Sequence, residues 1–473
     1  MPKTYDLIII GAGTTGLRAC VDAANLGKKV AVVENRIVGG TCLNRGCIPS
    51  KLLIYGAEIL QTLKHANKFG INIKSNKPQI SFQQAMLHQR NVINSAQKSA
   101  EKNITNLKNV DVYKGDAKFL NKNSIEIFHR KLNKYNEDDV KVEIIKSKNI
   151  IIATGGNPIT PNIKGIENLK KGINLFDSDN IWFAKKQPTS IVLLGGGYIS
   201  MEFAFFFAMY GTKVYVINRS ERILGREDTE VAKCVEENIK KLGVEIIFNN
   251  EIKIISKRGS KFIFNLNNKN IVADALMINA GRHPNSQDLG LERVGIKLDA
   301  HDFVKVNDYL QTNVSNIYAI GDVNGLAQFA HTGKYEAEIS VNNVFSKSNK
   351  NKSKKVKQKS IFHTPYAVFT YPQIGAVGMC EDELIEKKIK YTKLFATNAL
   401  NGKHKIIEET EGFVKAMFDK NGKLLGARIV GHNASELIHE FIVLINSEGN
   451  HMETLKKSIH IHPTLSESVE NLF

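Results

Sequence analysis

One pattern constrains this chain more than any other, and it occurs twice. The run "YDLIII" (Tyr5–Ile10), rich in β-branched residues, leads straight into "GAGTTG" (Gly11–Gly16) and a following helical stretch. A strand, then Gly-x-Gly-x-x-Gly, then a helix is the order a dinucleotide-binding unit requires. Gly11 makes the tight turn, Gly13 lets backbone approach a pyrophosphate, and Gly16 lets the helix pack on the strand. The helix N-terminus then turns its unpaired amides toward the phosphates. A second strand, "KVAVVE", ends in Glu34, 23 positions past Gly11, where a carboxylate can accept from both hydroxyls of an adenosine ribose. "SIVLLGGGYISMEFAFFFAMYGTKVYVIN" repeats the order with Gly195, Gly197 and, in place of the third glycine, Ser200. Asn218 follows Gly195 at the same offset of 23. Two such units predict an α/β protein that binds two dinucleotides.

The units differ where the ribose is read. Glu34 has no acidic counterpart in the second unit, where Asn218 is followed by Arg219, with Arg222 and Arg226 nearby. An acid that would repel a 2′-phosphate is missing, and guanidinium groups that could pair with one are present. The second unit is therefore expected to favour NADPH over NADH; the bland alternative is solvated surface charge.

At 473 residues the chain should divide into several domains. No apolar run reaches the roughly 18–20 residues of a membrane span. "FAFFFAM" (Phe203–Met209) reads as a buried helix instead, and the N-terminus lacks the pattern of a secretion signal. A net charge of +18 could suggest nucleic acid, but the one dense run, "SKSNKNKSKKVKQKS" (Ser346–Ser360), has no aromatic to stack on a base and reads as a solvated linker. Neither nucleic acid nor membrane is an expected partner. The five cysteines, Cys20, Cys42, Cys47, Cys234 and Cys380, are too sparse for a secreted disulfide framework, which points to a cytoplasmic setting. Cys42 and Cys47 lie close together in "GGTCLNRGCIPSK". No second ligand pair accompanies them, so no metal is expected. A structural staple and a redox pair remain open at this point.

Further strands are expected in "NIIIATGG" (Asn149–Gly156), at the exit from the first unit, and in "MINAGRHPN" (Met277–Asn285), at the exit from the second. "NIYAIGDV" (Asn316–Val323) should deliver Asp322 at a strand end. Beyond the lysine-rich run, "AVFTYPQIGAVGM" suggests antiparallel strands and "ASELIHEFIVLINSEG" a helix. The domain expectation is 1–155 and 286–350 for the first nucleotide unit, 156–285 for the second, and 351–473 for a separate layer.

Taken together, "GGTCLNRGCIPSK", the strand-borne "GDV" and the C-terminal "HIHPTLSE" resemble the flavin-dependent pyridine nucleotide–disulfide reductases over essentially the whole chain. Within that family they look most like the dihydrolipoamide dehydrogenase branch. The resemblance implies two Rossmann-like domains, one for FAD and one for NAD(P), and a C-terminal α+β domain that forms a homodimer. It implies that Asp322 contacts the flavin chain, and that Thr41, Gly115, Ala117, Thr154, Gly155, Gly281 and Ala330 belong to the cofactor sites. Lys51 would place a cation near the reduced flavin, with Glu202 as its partner, and Tyr198 would cover the nicotinamide pocket until the coenzyme arrives. Cys47 would sit against the flavin and Cys42 would face the substrate. His462, oriented by Glu467, would be the acid–base group, reaching the cysteines across the dimer.

With that resemblance stated, the cysteine spacing has a physical reading. Five residues along a straight helix rise about 7.5 Å, beyond the reach of a disulfide. Gly46 and Pro49 allow the chain to leave regular geometry, and a strained, accessible disulfide is the labile kind. A staple over so short a loop would stabilise little, so the pair is read as redox-active. The chain ends without a second cysteine pair, unlike mercuric reductases, and has Val21 where glutathione reductases place an arginine. The expectation is a dihydrolipoamide dehydrogenase-like enzyme acting on a small disulfide or dithiol, within a lipoyl-bearing multienzyme complex or free of one. An NADPH-dependent reductase of another small disulfide, of the glutathione or mycothione type, is the runner-up, and a non-enzymatic nucleotide-binding scaffold a remote third.

Overall fold

The computed structural model describes residues 1–72, 80–129, 141–346, 357 and 364–473. The lysine-rich run falls almost wholly outside the described residues. Contacts group the chain into two compact units. The first comprises Met1–Ser50, His88–Ile159 and Gly281–Ile361, and the second Lys51–Leu87, Thr160–Ala280 and Phe362–Phe473.

In the first unit a seven-stranded sheet runs Val110–Lys114, Val30–Glu34, Lys3–Ile10, Lys141–Ile152, Ser124–His129, Asp116–Asn121, with Ile317–Ala319 also paired to Lys141–Ile152. Its centre is parallel: Leu7 to Ile10 pair with Val30 to Val33 on one side and with Asn149 to Ile152 on the other. These runs are apolar without alternation because both faces are covered. Ile8, Ile10, Ile150 and Ile152 enter one core, while Leu7, Ile9, Val32 and Ile151 enter the other. "NIYAIGDV" is a strand as expected, and Asp322 follows it in a single 3-10 turn, Gly321–Asn324.

The second unit contains a five-stranded parallel sheet ordered Glu245–Ile247, Lys213–Ile217, Ser190–Leu194, Ala275–Ile278, Leu175–Asp177. A three-stranded antiparallel sheet, Ile254–Arg258, Lys261–Asn265 and Asn270–Ala273, belongs to the same unit. The helix Tyr198–Met209 buries Phe203, Phe205, Phe206 and Phe207 together, which accounts for an aromatic run with no polar face. A second five-stranded sheet, antiparallel, runs Tyr366–Val368, Ile374–Gly378, Leu424–Val430, Phe413–Phe418, Thr392–Thr397. The single helix expected over "ASELIHEFIVLINSEG" is two short ones, Ala434–Leu437 and His439–Asn446, joined through Ile438 in helical backbone.

Candidate active site

The two glycine loops have nearly the same geometry. Gly11 has φ +107°, and a Cβ there would lie 2.4 Å from the Ala153 carbonyl oxygen. Gly195 has φ +106°, with the Asn279 carbonyl oxygen 2.7 Å from the same imaginary atom. Each turn is therefore closed against the neighbouring strand, and only glycine fits. Gly16 is tighter still: a Cβ there would lie 2.0 Å from the Gly11 carbonyl oxygen. At the matching place Ser200 is fully buried and its hydroxyl accepts from Asn279 Nδ2 at 3.0 Å. That pairing of two exceptional residues is invisible in either motif alone.

The helices Thr14–Asn25 and Tyr198–Met209 start from Gly13 and Gly197 with no side-chain cap and no acid in the first turn. Their first amides are left for an anion. A Cβ on Gly40 would come 2.6 Å from Gly13 Cα, so two glycine backbones face each other beside the first loop. The buried Glu34 carboxylate accepts from Ala12 N and Arg36 N, each at 2.7 Å. It retains lone pairs for ribose hydroxyls. The donor set and the glycine cradle fit a dinucleotide. Asn218 instead donates to the Ser220 and Arg222 carbonyls at 3.1 and 2.8 Å, bracing its own turn. Arg222 is committed to Asp382 at 3.0 Å, while Arg219 and Arg226 are exposed.

Helix Gly40–Arg45 carries Thr41 and Cys42, and helix Cys47–Lys64 begins at the second cysteine. Gly46 between them has φ −137°, ψ −106°, so the helical path is broken between the two thiols. Pro49 lies in the first turn of the second helix, where its missing N–H costs nothing. Cys42 is half-buried and Cys47 exposed. One turn on, Lys51 Nζ is 2.8 Å from both oxygens of Glu202 and 4.6 Å from the centre of the Phe369 ring. The Phe369 amide donates to the same carboxylate at 3.0 Å.

The other expected residues fall at strand ends and turns. Thr154 Oγ1 donates to the Asn285 carbonyl at 2.7 Å, and Asn285 N donates to the Gly155 carbonyl at 2.9 Å. Gly281 and Gly155 have positive φ. Gly115 N donates to the Glu34 carbonyl at 3.0 Å, Ala117 lies buried in Asp116–Asn121, and Ala330 starts the helix Ala330–Phe345. Asp322 lies 3.7 Å from Arg282; burial pushes its carboxyl up, against the pull of that guanidinium.

His462 Nδ1 is 2.7 Å from Glu467 Oε1, and Thr464 N donates to Glu467 Oε2 at 2.7 Å. The hydrogen bond from His462 holds the Glu467 carboxyl below its ordinary range. The histidine side chain is 77% exposed, and Ile459 and Ile461 beside it are exposed as well. His460 is instead buried against Glu440 at 3.1 Å.

Sequence reasoning missed two buried cations. Lys415, fully buried in Phe413–Phe418, lies 2.7 Å from Asp228, 2.9 Å from Glu230 and 3.1 Å from Glu381. Arg428, buried in Leu424–Val430, lies 3.2 Å from buried Glu227. The available signal was one cation in each otherwise apolar strand and two acids directly after Arg226. Among the described residues no cluster of three or more potential ligands could hold a metal, and no helix is long and apolar enough to cross a membrane.

Two family models match: pyridine nucleotide-disulphide oxidoreductase over residues 5–337, and the dimerisation domain of that family over residues 364–473. The chain belongs to the pyridine nucleotide-disulphide oxidoreductases. Dihydrolipoyl dehydrogenase of Staphylococcus aureus is 32% identical over 98% of this chain and 95% of its own. That of Bacillus subtilis is 33% identical over the same shares, 98% and 95%. The solved Cu(II) complex of the HOCl-induced flavoprotein disulfide reductase RclA from Escherichia coli superposes with a TM-score of 0.86 at 28% identity, covering 100% of this chain and 99% of that one. The protein is a flavin-dependent disulfide oxidoreductase that binds FAD and NAD(P)H, and its dimerisation domain supports a homodimer. These relatives do not favour the runner-up expectation, a reductase of the glutathione or mycothione type.

The Lys415 cluster sets a pH dependence. Burial alone would raise the Asp228 carboxyl, but Lys415 and Arg428 override it and hold it low; against the same burial, Glu230 is lowered by Lys415 and Lys393, and Glu381 by Tyr391, Lys415 and Lys393. Carboxyls lowered in the folded state give stability that is complete above their unfolded values, about 4, and is lost as pH falls through the lower folded ones. Lys415→Met should cost about 3–5 kcal/mol at pH 7, by urea unfolding. The gap from wild type should shrink toward pH 3; a constant gap would contradict the assignment.

Proposed function

We propose that the protein exchanges two electrons between a nicotinamide coenzyme and dihydrolipoamide or a closely similar small dithiol through Cys42 and Cys47. The observation that carries this reading is the broken helix: two thiols either side of Gly46, one of them opening the helix that bears Lys51. When bound, FAD supplies the two-electron carrier that no side chain can provide, held by Gly11, Gly13, Gly16, Glu34 and Asp322, with Thr41, Lys51, Gly115, Ala117, Thr154, Gly155 and Ala330 around it. The nicotinamide coenzyme is assigned to Gly195, Gly197, Tyr198, Glu202, Asn218 and Gly281. Residues 1–155 and 286–350 are assigned to the FAD domain, 156–285 to the NAD(P) domain and 351–473 to the interface domain.

The protein's own steps are those of thiol–disulfide exchange. His462 Nε2 takes a proton from one substrate thiol, and the thiolate attacks Cys42 Sγ, breaking the Cys42–Cys47 bond and releasing Cys47 as thiolate. The positive end of the helix favours that charge. The second substrate thiol attacks the substrate sulfur of the mixed disulfide, its proton passing to the leaving Cys42 sulfur, so that the product disulfide closes and Cys42 is released as a thiol. Glu467 on Nδ1 fixes the imidazole so that Nε2 is the basic atom. The high exposure of His462 beside Ile459 and Ile461 supports a dyad that reaches the cysteines of the other subunit across the dimer. The sparse cysteines support a cytoplasmic setting, and service to a lipoyl-bearing complex is compatible with the relatives.

His462→Gln should slow exchange with lipoamide by roughly 100-fold, while anaerobic flavin reduction by the coenzyme changes less than about twofold. Slowed flavin reduction would sink the assignment. Arg219 and Arg226 support NADPH as the coenzyme. Its kcat/KM should exceed that of NADH by roughly tenfold or more, and Arg219→Ala should lower only the NADPH value. A clear NADH preference would refute this.

A further inference from the structure

Tyr198 heads its helix directly after the second glycine loop, and its hydroxyl donates to Glu227 Oε1 at 3.1 Å. The Tyr366 hydroxyl donates to the same oxygen at 2.7 Å, and the two rings lie 5.7 Å apart at an angle of 32°. Glu227 Oε2 is held by Arg428 Nε at 3.2 Å. Arg428 is itself fixed by the carbonyls of Ala427, Val377 and Gly378, and its guanidinium lies 5.9 Å from the centre of the Tyr366 ring. With Glu227 and Arg428 both buried, the carboxylate has no freedom to follow a moving partner. The segment that carries it is also tied to the glycine loop, through Leu224 N on the Gly196 carbonyl at 2.8 Å.

We propose that Glu227 is a positioning residue for the nicotinamide coenzyme: it latches the Tyr198 ring and sets how easily that ring moves aside when the coenzyme enters. This rests on the reading that Tyr198 covers the nicotinamide pocket. A carboxylate oxygen accepts two donors. When the Tyr198 hydroxyl leaves, Oε1 keeps the Tyr366 hydroxyl, so a buried charge is not stripped of its partners. The two tyrosines therefore act in opposite senses, Tyr198 favouring the closed ring and Tyr366 easing its release.

Glu227→Gln would leave Arg428 uncompensated and threaten folding, so the test uses tyrosine variants of the holoenzyme. Binding of NADP+ is measured by calorimetric titration, with NADPH turnover in parallel. Tyr198→Phe should tighten Kd about three- to tenfold, and Tyr366→Phe should weaken it by a similar factor. The double variant should resemble Tyr198→Phe, because Tyr366 matters only while the latch exists. KM should follow Kd with kcat nearly unchanged. Shifts of the same sign, or no shift in either, would overturn the latch. Tyr198→Ala separates the two ideas. If it alters Kd while both phenylalanine variants do not, only the latch fails; if it too leaves Kd unchanged, the covering role fails and the latch with it.

Discussion

Backbone packed against backbone at the glycine turns is the constraint on which the rest of this protein depends. A Cβ at Gly11 or Gly195 would press on a carbonyl of the adjacent parallel strand, and both residues hold φ near +107°. Because the turn is that tight, the helix that follows starts directly above the strand ends with its amides uncovered. In the first unit the same tightness brings Ala12 N onto Glu34, linking the glycine loop and the buried acid at the end of the second strand through one hydrogen bond. A larger residue would displace the helix N-terminus and the Glu34 carboxylate together.

Charge buried in the second unit has a complementary role. Lys415 and Arg428 stand in strands that are otherwise apolar, and each meets acids from the segment just after Arg226. Ion pairs of this kind are weak sources of stability compared with apolar packing, but leaving either partner alone is costly. They therefore specify position. Glu227 and Asp228 fix the residues that follow the arginines proposed to read a 2′-phosphate, and the same carboxylate reaches Tyr198 at the head of the second cradle. Arg226, proposed to read a 2′-phosphate, and Glu227, proposed to latch the Tyr198 ring, are thus neighbours on one short stretch of chain.

The parallel sheets were legible in the sequence because continuous apolar runs ending in glycine have few other folds open to them. The break in the helical path between the two cysteines was legible through Gly46, where one helix ends and the next begins. What escaped notice has long-range causes. Lys415 and Arg428 look like solvated charges until their strands are paired and Glu230 and Glu227 arrive from 185 and 201 residues away. The bond between Ser200 and Asn279 escaped notice because Asn279 lies 79 residues on, just past the end of strand Ala275–Ile278. Arg222 looked like a phosphate ligand, and its engagement with Asp382 could not be read from local spacing. The helix over 434–449 was expected as one and is two, with Ile438 carrying helical backbone between them.

The central claim is that electrons cross the protein by way of Cys42 and Cys47. Rapid-mixing spectroscopy of a Cys47→Ser variant, with the coenzyme in one syringe and lipoamide in the other, tests it most directly. The account predicts that the bound flavin is still reduced while lipoamide turnover falls to background. Turnover at the wild-type rate would contradict it.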